Sequence, residues 1–176
     1  MAALSRAALP LINAWDPAAD ERAGNQCKSY GAGNIMSVPG RLHITWQDAG
    51  TLKIETDAGT QTRLFQFTPR ATVSPRSWQG QSAATWEPAA GGGSLRVVTT
   101  NLREGYLRKN GVPYSERATV TEHFDVAPLA DNGRLLLVNT VIEDPVYLTG
   151  PYVVSPHFKK EADGSKWDPT PCSSTW

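Results

Sequence analysis

Short alternating runs, each closed by a turn, dominate the chain from residue 41 onward and leave little choice of architecture. Over residues 41–47, Leu42, Ile44 and Trp46 alternate with His43, Thr45 and Gln47, the two-residue period of a half-buried strand. Asp48-Ala49-Gly50 turns the chain, and residues 51–56 return with Leu52 and Ile54 on one face. Asp57-Ala58-Gly59 turns it again, and residues 60–67 complete a pair of successive hairpins. A looser stretch, 68–78, carries Pro69 and Pro75 and precedes a short strand over 81–87. Pro88-Ala89-Ala90-Gly91-Gly92-Gly93 reads as a flexible turn into a strand over 94–102. Arg108-Lys109-Asn110-Gly111 turns toward Pro113-Tyr114 and a strand over 117–126. Asp131-Asn132-Gly133 leads into 134–143, the most hydrophobic strand; 144–150 connects to the last strand, 152–160, and the tail 167–176 reads as irregular.

No convincing helix separates these strands, which excludes alternating βαβ units. The expected fold is all-β: a single up-and-down antiparallel β-barrel of about eight strands, since closure removes exposed edges, with a sandwich as the alternative. No repeat of fixed length appears. The barrel domain is expected over 35–176, behind an irregular or partly helical N-terminal arm over 1–34. In that arm, 4–14 suggests a short helical stretch broken by Pro10, and Asp16 is placed to cap a second one starting at Pro17.

At 176 residues the chain fits one domain with a real core. Seventeen Lys plus Arg balance seventeen Asp plus Glu, which argues against a nucleic-acid partner. No apolar run approaches the roughly 20 residues of a membrane helix. The two cysteines, Cys27 and Cys172, sit in the polar ends rather than in core strands. A disulfide between them would staple the arm to the tail, for which a chain-entropy argument gives roughly 5 kcal/mol; the alternative is two unrelated thiols. A bridge implies an oxidising compartment, so the expected location is periplasmic or secreted, with the leader peptide absent from this sequence.

Strand order and spacing resemble the lipocalin-like (calycin) barrels, which enclose an internal cavity. The second half is similar to an uncharacterised group of exported bacterial barrel proteins. The matching stretches are Leu107-Arg108-Lys109-Asn110-Gly111-Val112-Pro113-Tyr114, Glu143-Asp144-Pro145-Val146-Tyr147-Leu148 and His157-Phe158-Lys159-Lys160-Glu161, within residues 40–172. One departure is plain: Gly40-Arg41-Leu42-His43 has no Trp at the family's Gly-x-Trp spacing. The resemblance implies a fold and a cavity and says little about activity.

Familiar catalytic signatures are absent: no Gly-x-Ser-x-Gly elbow, no phosphate loop, no His-Glu-x-x-His. What stands out is Glu122, in register with Ala118, Val120 and Phe124 on the apolar face of its strand. A carboxylate there costs several kcal/mol unless paired, protonated or wet. It marks either a general acid/base in a cavity or a structural bridge, and its plausible partner is Arg63, which shares a face with Phe65 and Phe67. Asn139, grouped with Leu135, Leu137 and Val141, would join Glu122 if both face inward. His157 is a second acid/base candidate, its face undetermined; His43 and His123 read as exterior. Barrel closure would set His43 beside His157, but none of the three histidines has metal-ligand spacing, so no metal or cofactor is expected. Tyr114 and Tyr147 near strand ends, with Trp46, Phe65 and Phe124, would line a pocket for a small hydrophobic or aromatic molecule. Two functions follow: a cofactor-independent lyase, isomerase, cyclase or hydratase using Glu122, or a non-catalytic binding protein in which Arg63 and Glu122 satisfy each other. A solidly packed structural barrel is a third.

Overall fold

A computed structural model describes residues 3–68, 74–130 and 132–175. Pro69 of the loose stretch and Asp131 of the expected turn lie outside the described residues. Among its described residues the arm contributes two short helices, α1 (Ala8–Asn13) and α2 (Pro17–Arg22), and a 3-10 turn at Gln26–Tyr30; a further 3-10 turn, Ile35–Ser37, follows it. Asp16 caps α2 as expected, its Oδ1 accepting from the Ala18 N–H at 2.9 Å. Pro10, by contrast, does not break α1 but sits in its first turn. A proline there forfeits only an N–H that would have no intrahelical partner.

Among the described residues eleven strands follow: β1 (Leu42–Asp48), β2 (Thr51–Thr56), β3 (Gln61–Gln66), β4 (Gln81–Ala89), β5 (Gly92–Thr100), β6 (Gly105–Tyr106), β7 (Pro113–Tyr114), β8 (Thr119–Pro128), β9 (Arg134–Glu143), β10 (Tyr152–Val154) and β11 (His157–Lys159). Nine of them form one sheet in the order β1-β2-β3-β4-β5-β8-β9-β10, with β11 also on β9, while β6 and β7 make a separate hairpin. The sheet curls into a half-barrel.

The expected antiparallel meander requires correction in two respects. β3 and β4 run parallel, paired at Phe65–Ser82 and Gln66–Ala83. Parallel neighbours need a crossover connection, for which the 67–80 segment is long enough, whereas a tight hairpin would have made the pair antiparallel. Among the described residues, no pairing joins β1 to β10 or β11, so the sheet is open between its first and last strands. The expected last strand is divided in two by Pro156, which has no N–H to give the ladder; its carbonyl still accepts from the Val138 N–H at 3.0 Å. Register is unbroken across the gap, since Val154 faces Thr140 and His157 faces Leu137.

The inner face carries the core. Tyr30 from the arm, with Ile35 and Met36 from the turn that follows it, packs with Ile54, Phe65, Val97, Phe124 and Val138 in one cluster. Leu102, Leu107, Tyr114, Val120, Ile142 and Tyr152 form a second. Gly59, at φ +73°, shows how closely the arm approaches: a Cβ there would collide with the Tyr30 ring. Cys27 and Cys172 are joined as a disulfide that ties arm to tail.

Candidate functional site

Three arrangements bring chemistry-bearing side chains together. The first lies inside the half-barrel. Alternation on β3 and β8 turns Arg63 and Glu122 inward, and both are buried. Arg63 Nη1 donates to Glu122 Oε1 at 2.9 Å and Nη2 to Oε2 at 2.6 Å, a two-point fork that engages both carboxylate oxygens. Nη2 also reaches Thr99 Oγ1 at 3.2 Å, and Thr99 shares a hydrogen bond of 2.8 Å with Ser82. The guanidinium lies 4.9 Å from the Phe65 ring centre.

Asn139 is not part of this set. Glu122 faces Thr140 across the ladder, whereas Asn139 faces His123 and is exposed. The sequence misleads here because β9 is apolar on both faces: Leu135, Leu137 and Val141 are half-buried on the outer side, so parity cannot be read from hydrophobicity alone. Glu143 is exposed, while buried Asp144 caps its turn, accepting from the Ser115 N–H and hydroxyl at 2.6 Å each.

The second arrangement surrounds Tyr114 and the β6–β7 hairpin. Tyr114 is buried, with its ring against Gly31, Gly33 and Gly105, where a Cβ would collide with it. Burial pushes its hydroxyl well above the ordinary tyrosine range, opposed by the Arg63 charge and the Gly33 amide. Tyr147 is half-buried and donates to Glu104 Oε2 at 3.1 Å; its hydroxyl is also raised, by burial and by the Glu104 charge. Glu104 pairs with Lys28 at 3.4 Å. Tyr106 donates to buried Asp20 at 2.8 Å, beside a small cleft of about 220 Å³.

The third arrangement is the open side of the half-barrel. A groove of about 1210 Å³ runs between β1 and the β9–β11 edge, with the segment 160–167 as its outer wall. Leu42, Ile44, Val126, Leu136, Phe158 and Trp167 supply its apolar surface. Ile44 and Val126 belong to the inner face through their partners Ile54 and Leu136, yet they are 40 % and 62 % exposed. Continuing that face, Trp46 and Trp86 are 55 % and 56 % exposed and flank Phe67, at centroid separations of 5.5 and 5.7 Å. His157 is exposed on β11 and lines the groove, as does His43, which pairs with Glu55 at 3.2 Å and packs edge-on against Trp167 at 6.0 Å.

The expected site residues thus separate. Arg63, Glu122, Phe65, Phe124 and Tyr114 are interior, with Phe65 and Phe124 5.3 Å apart in the core. His157 and Trp46 stand at the open side, and Tyr147 lies toward Glu104. Among the described residues, no group of three or more His, Cys, Asp and Glu side chains is arranged to hold a metal. Sequence reasoning missed Val126, Leu136, Phe158 and Trp167; the apolar alternation of β8 continuing past Phe124 to Val126 was the available signal.

Compared with family models, curated proteins and solved structures, the chain matches none.

Proposed function

We propose that this protein is a non-catalytic binding protein of an oxidising compartment, periplasmic or secreted, that takes a small hydrophobic or aromatic molecule in the groove between β1 and the β9–β11 edge. The carrying observation is the exposure of Ile44 and Val126, which line that groove with Leu42, Leu136 and Phe158, on the face that elsewhere forms the core. Apolar residues scattered singly over a surface need no explanation, but a contiguous concave set marks a contact site. The half-barrel resembles a lipocalin-like calyx opened along one side, and ligand in the gap would restore contacts that a closing strand pair would have made.

Binding is favoured over acid/base turnover by the geometry at Glu122. Both its oxygens are committed to Arg63, and it contributes to neither the groove nor the smaller cleft. A general base must come within about 3 Å of the proton it takes. The Cys27–Cys172 disulfide supports the oxidising compartment.

The test is uptake of the neutral fluorophore N-phenyl-1-naphthylamine. Saturable enhancement is expected for the natural chain and, at temperatures where it remains folded, for Glu122→Gln, with loss in Val126→Asp and Ile44→Asp. No saturable uptake, or uptake indifferent to Val126→Asp, would sink the proposal.

A further inference from the structure

The 17 basic and 17 acidic side chains of the whole chain balance, but they are not evenly spread. The groove is lined by Arg41, Arg134, Lys159, Lys160 and Lys166 against two carboxylates, Glu161 and Asp163. Some of this charge is settled internally. Arg41 pairs with Asp57 at 3.2 Å and Lys166 with Glu161 at 2.8 Å.

Register places Arg134 and Lys160 with respect to the apolar surface. Val126 faces Leu136, and Leu136 faces Phe158, so one row crosses three neighbouring strands on the inner face. Arg134 lies two residues before Leu136 and Lys160 two residues after Phe158. Both therefore continue the same face, about 7 Å further on, Lys160 lying one residue past the end of β11. The Lys160 N–H donates to the Arg134 carbonyl at 2.8 Å, which holds the two at one level. Both side chains are exposed and line the groove. An apolar row followed at one strand step by a pair of cations is complementary to a molecule with an apolar body and a terminal oxyanion.

We infer that the groove binds a soluble amphiphilic anion, its apolar body along Val126, Leu136 and Phe158 and its carboxylate, sulfate or phosphate group between Arg134 and Lys160. This rests on the groove being a small-molecule site, and it adds the charge of the ligand. Lys159, His157 and Asp163 also line the groove, and Lys166 stays with Glu161.

The experiment displaces bound N-phenyl-1-naphthylamine with decanoate, decanol and decylammonium, which share a chain and differ in head charge. Decanoate is expected to displace the probe at about one-tenth the concentration decanol needs, the sum of two partly exposed charge contacts. Decylammonium should be the weakest. In the double variant Arg134→Gln/Lys160→Gln, whose side chains are exposed, the decanoate advantage should fall to within about threefold while decanol is unchanged. Equal potency of decanoate and decanol, or a double variant that weakens both alike, overturns the inference while leaving the groove as a binding site. Failure of the natural chain to take up the probe removes both readings. Sedimentation with anionic lipid vesicles that depends on Arg134 and Lys160, without displacement by free decanoate, also overturns it, because the cations would then serve a membrane surface.

Discussion

Arg63 and Glu122 meet at the boundary between the two halves of the core. Val97, the cross-strand partner of Glu122, belongs to one cluster with Phe124, and Val120 belongs to the other. The pair is fully enclosed, so its value lies less in net stability than in the penalty for separating it. Taking either charge away strands the other where water cannot reach, at a cost of about 3–5 kcal/mol. Arg63→Leu and Glu122→Leu should each lower unfolding free energy by that amount, read from urea denaturation. The double replacement should lose much less than the sum. Additive losses would show that the two side chains do not act as a unit.

Thr140 makes the opposite case. It faces Glu122 from β9 and is buried, and its Oγ1 has no hydrogen-bond partner among the described residues. An unsatisfied buried hydroxyl costs roughly 1–3 kcal/mol, and valine has nearly its shape. Thr140→Val should therefore leave stability unchanged or raise it by about 1 kcal/mol. A loss of more than about 1 kcal/mol would mean that the hydroxyl is satisfied in solution.

Asp57 ties the β2–β3 turn to the start of β1 and predicts an acid-sensitive step. Its Oδ1 accepts from the Arg41 N–H at 2.6 Å and the Ala58 N–H at 2.7 Å, and its Oδ2 meets Arg41 Nη1 at 3.2 Å. Burial raises the carboxyl, but these hydrogen bonds outweigh it and hold the group below its usual range. A depressed folded value means that stability is present above the unfolded value, near pH 4, and is lost as pH falls through the folded one. Asp57→Asn should cost about 2–3 kcal/mol at neutral pH, and its deficit should shrink steadily below about pH 4. The check is a pair of denaturation series from pH 7 to 2; a deficit constant with pH would remove the assignment.

The sequence made the strands legible because alternation and turn chemistry are local. The β1–β2 and β2–β3 hairpins, the cap at Asp16 and the inward direction of Glu122 all follow from neighbours a few residues away. Parallel pairing of β3 with β4 was not legible, since nothing in 67–80 specifies where the returning chain docks. The parity of β9 was hidden by apolar residues on both faces, which exchanged Asn139 for Thr140. The groove was hidden for a related reason. Ile44, Val126 and Phe158 look like core positions in any strand, and only the failure of β1 to meet β11 leaves them exposed or half-exposed.

The disulfide has a consequence for that groove. Cys172 anchors the tail from one side, Thr170 bonds its N–H to the Asp57 carbonyl at 2.9 Å, and between them they position the segment whose Trp167 faces His43. The closed loop spans 145 residues, long enough that removing the bridge should cost about 2–5 kcal/mol. The same change removes one anchor of the segment 160–167, the outer wall of the groove. Cys27→Ser/Cys172→Ser should therefore bind N-phenyl-1-naphthylamine about fivefold or more weakly than the natural chain at temperatures where both remain folded, because ordering the tail now draws on binding energy. Chemical reduction of the natural chain should reproduce the loss, and reoxidation should reverse it. If affinity is unchanged while stability falls, the tail is held by its own contacts, and the bridge serves the fold alone.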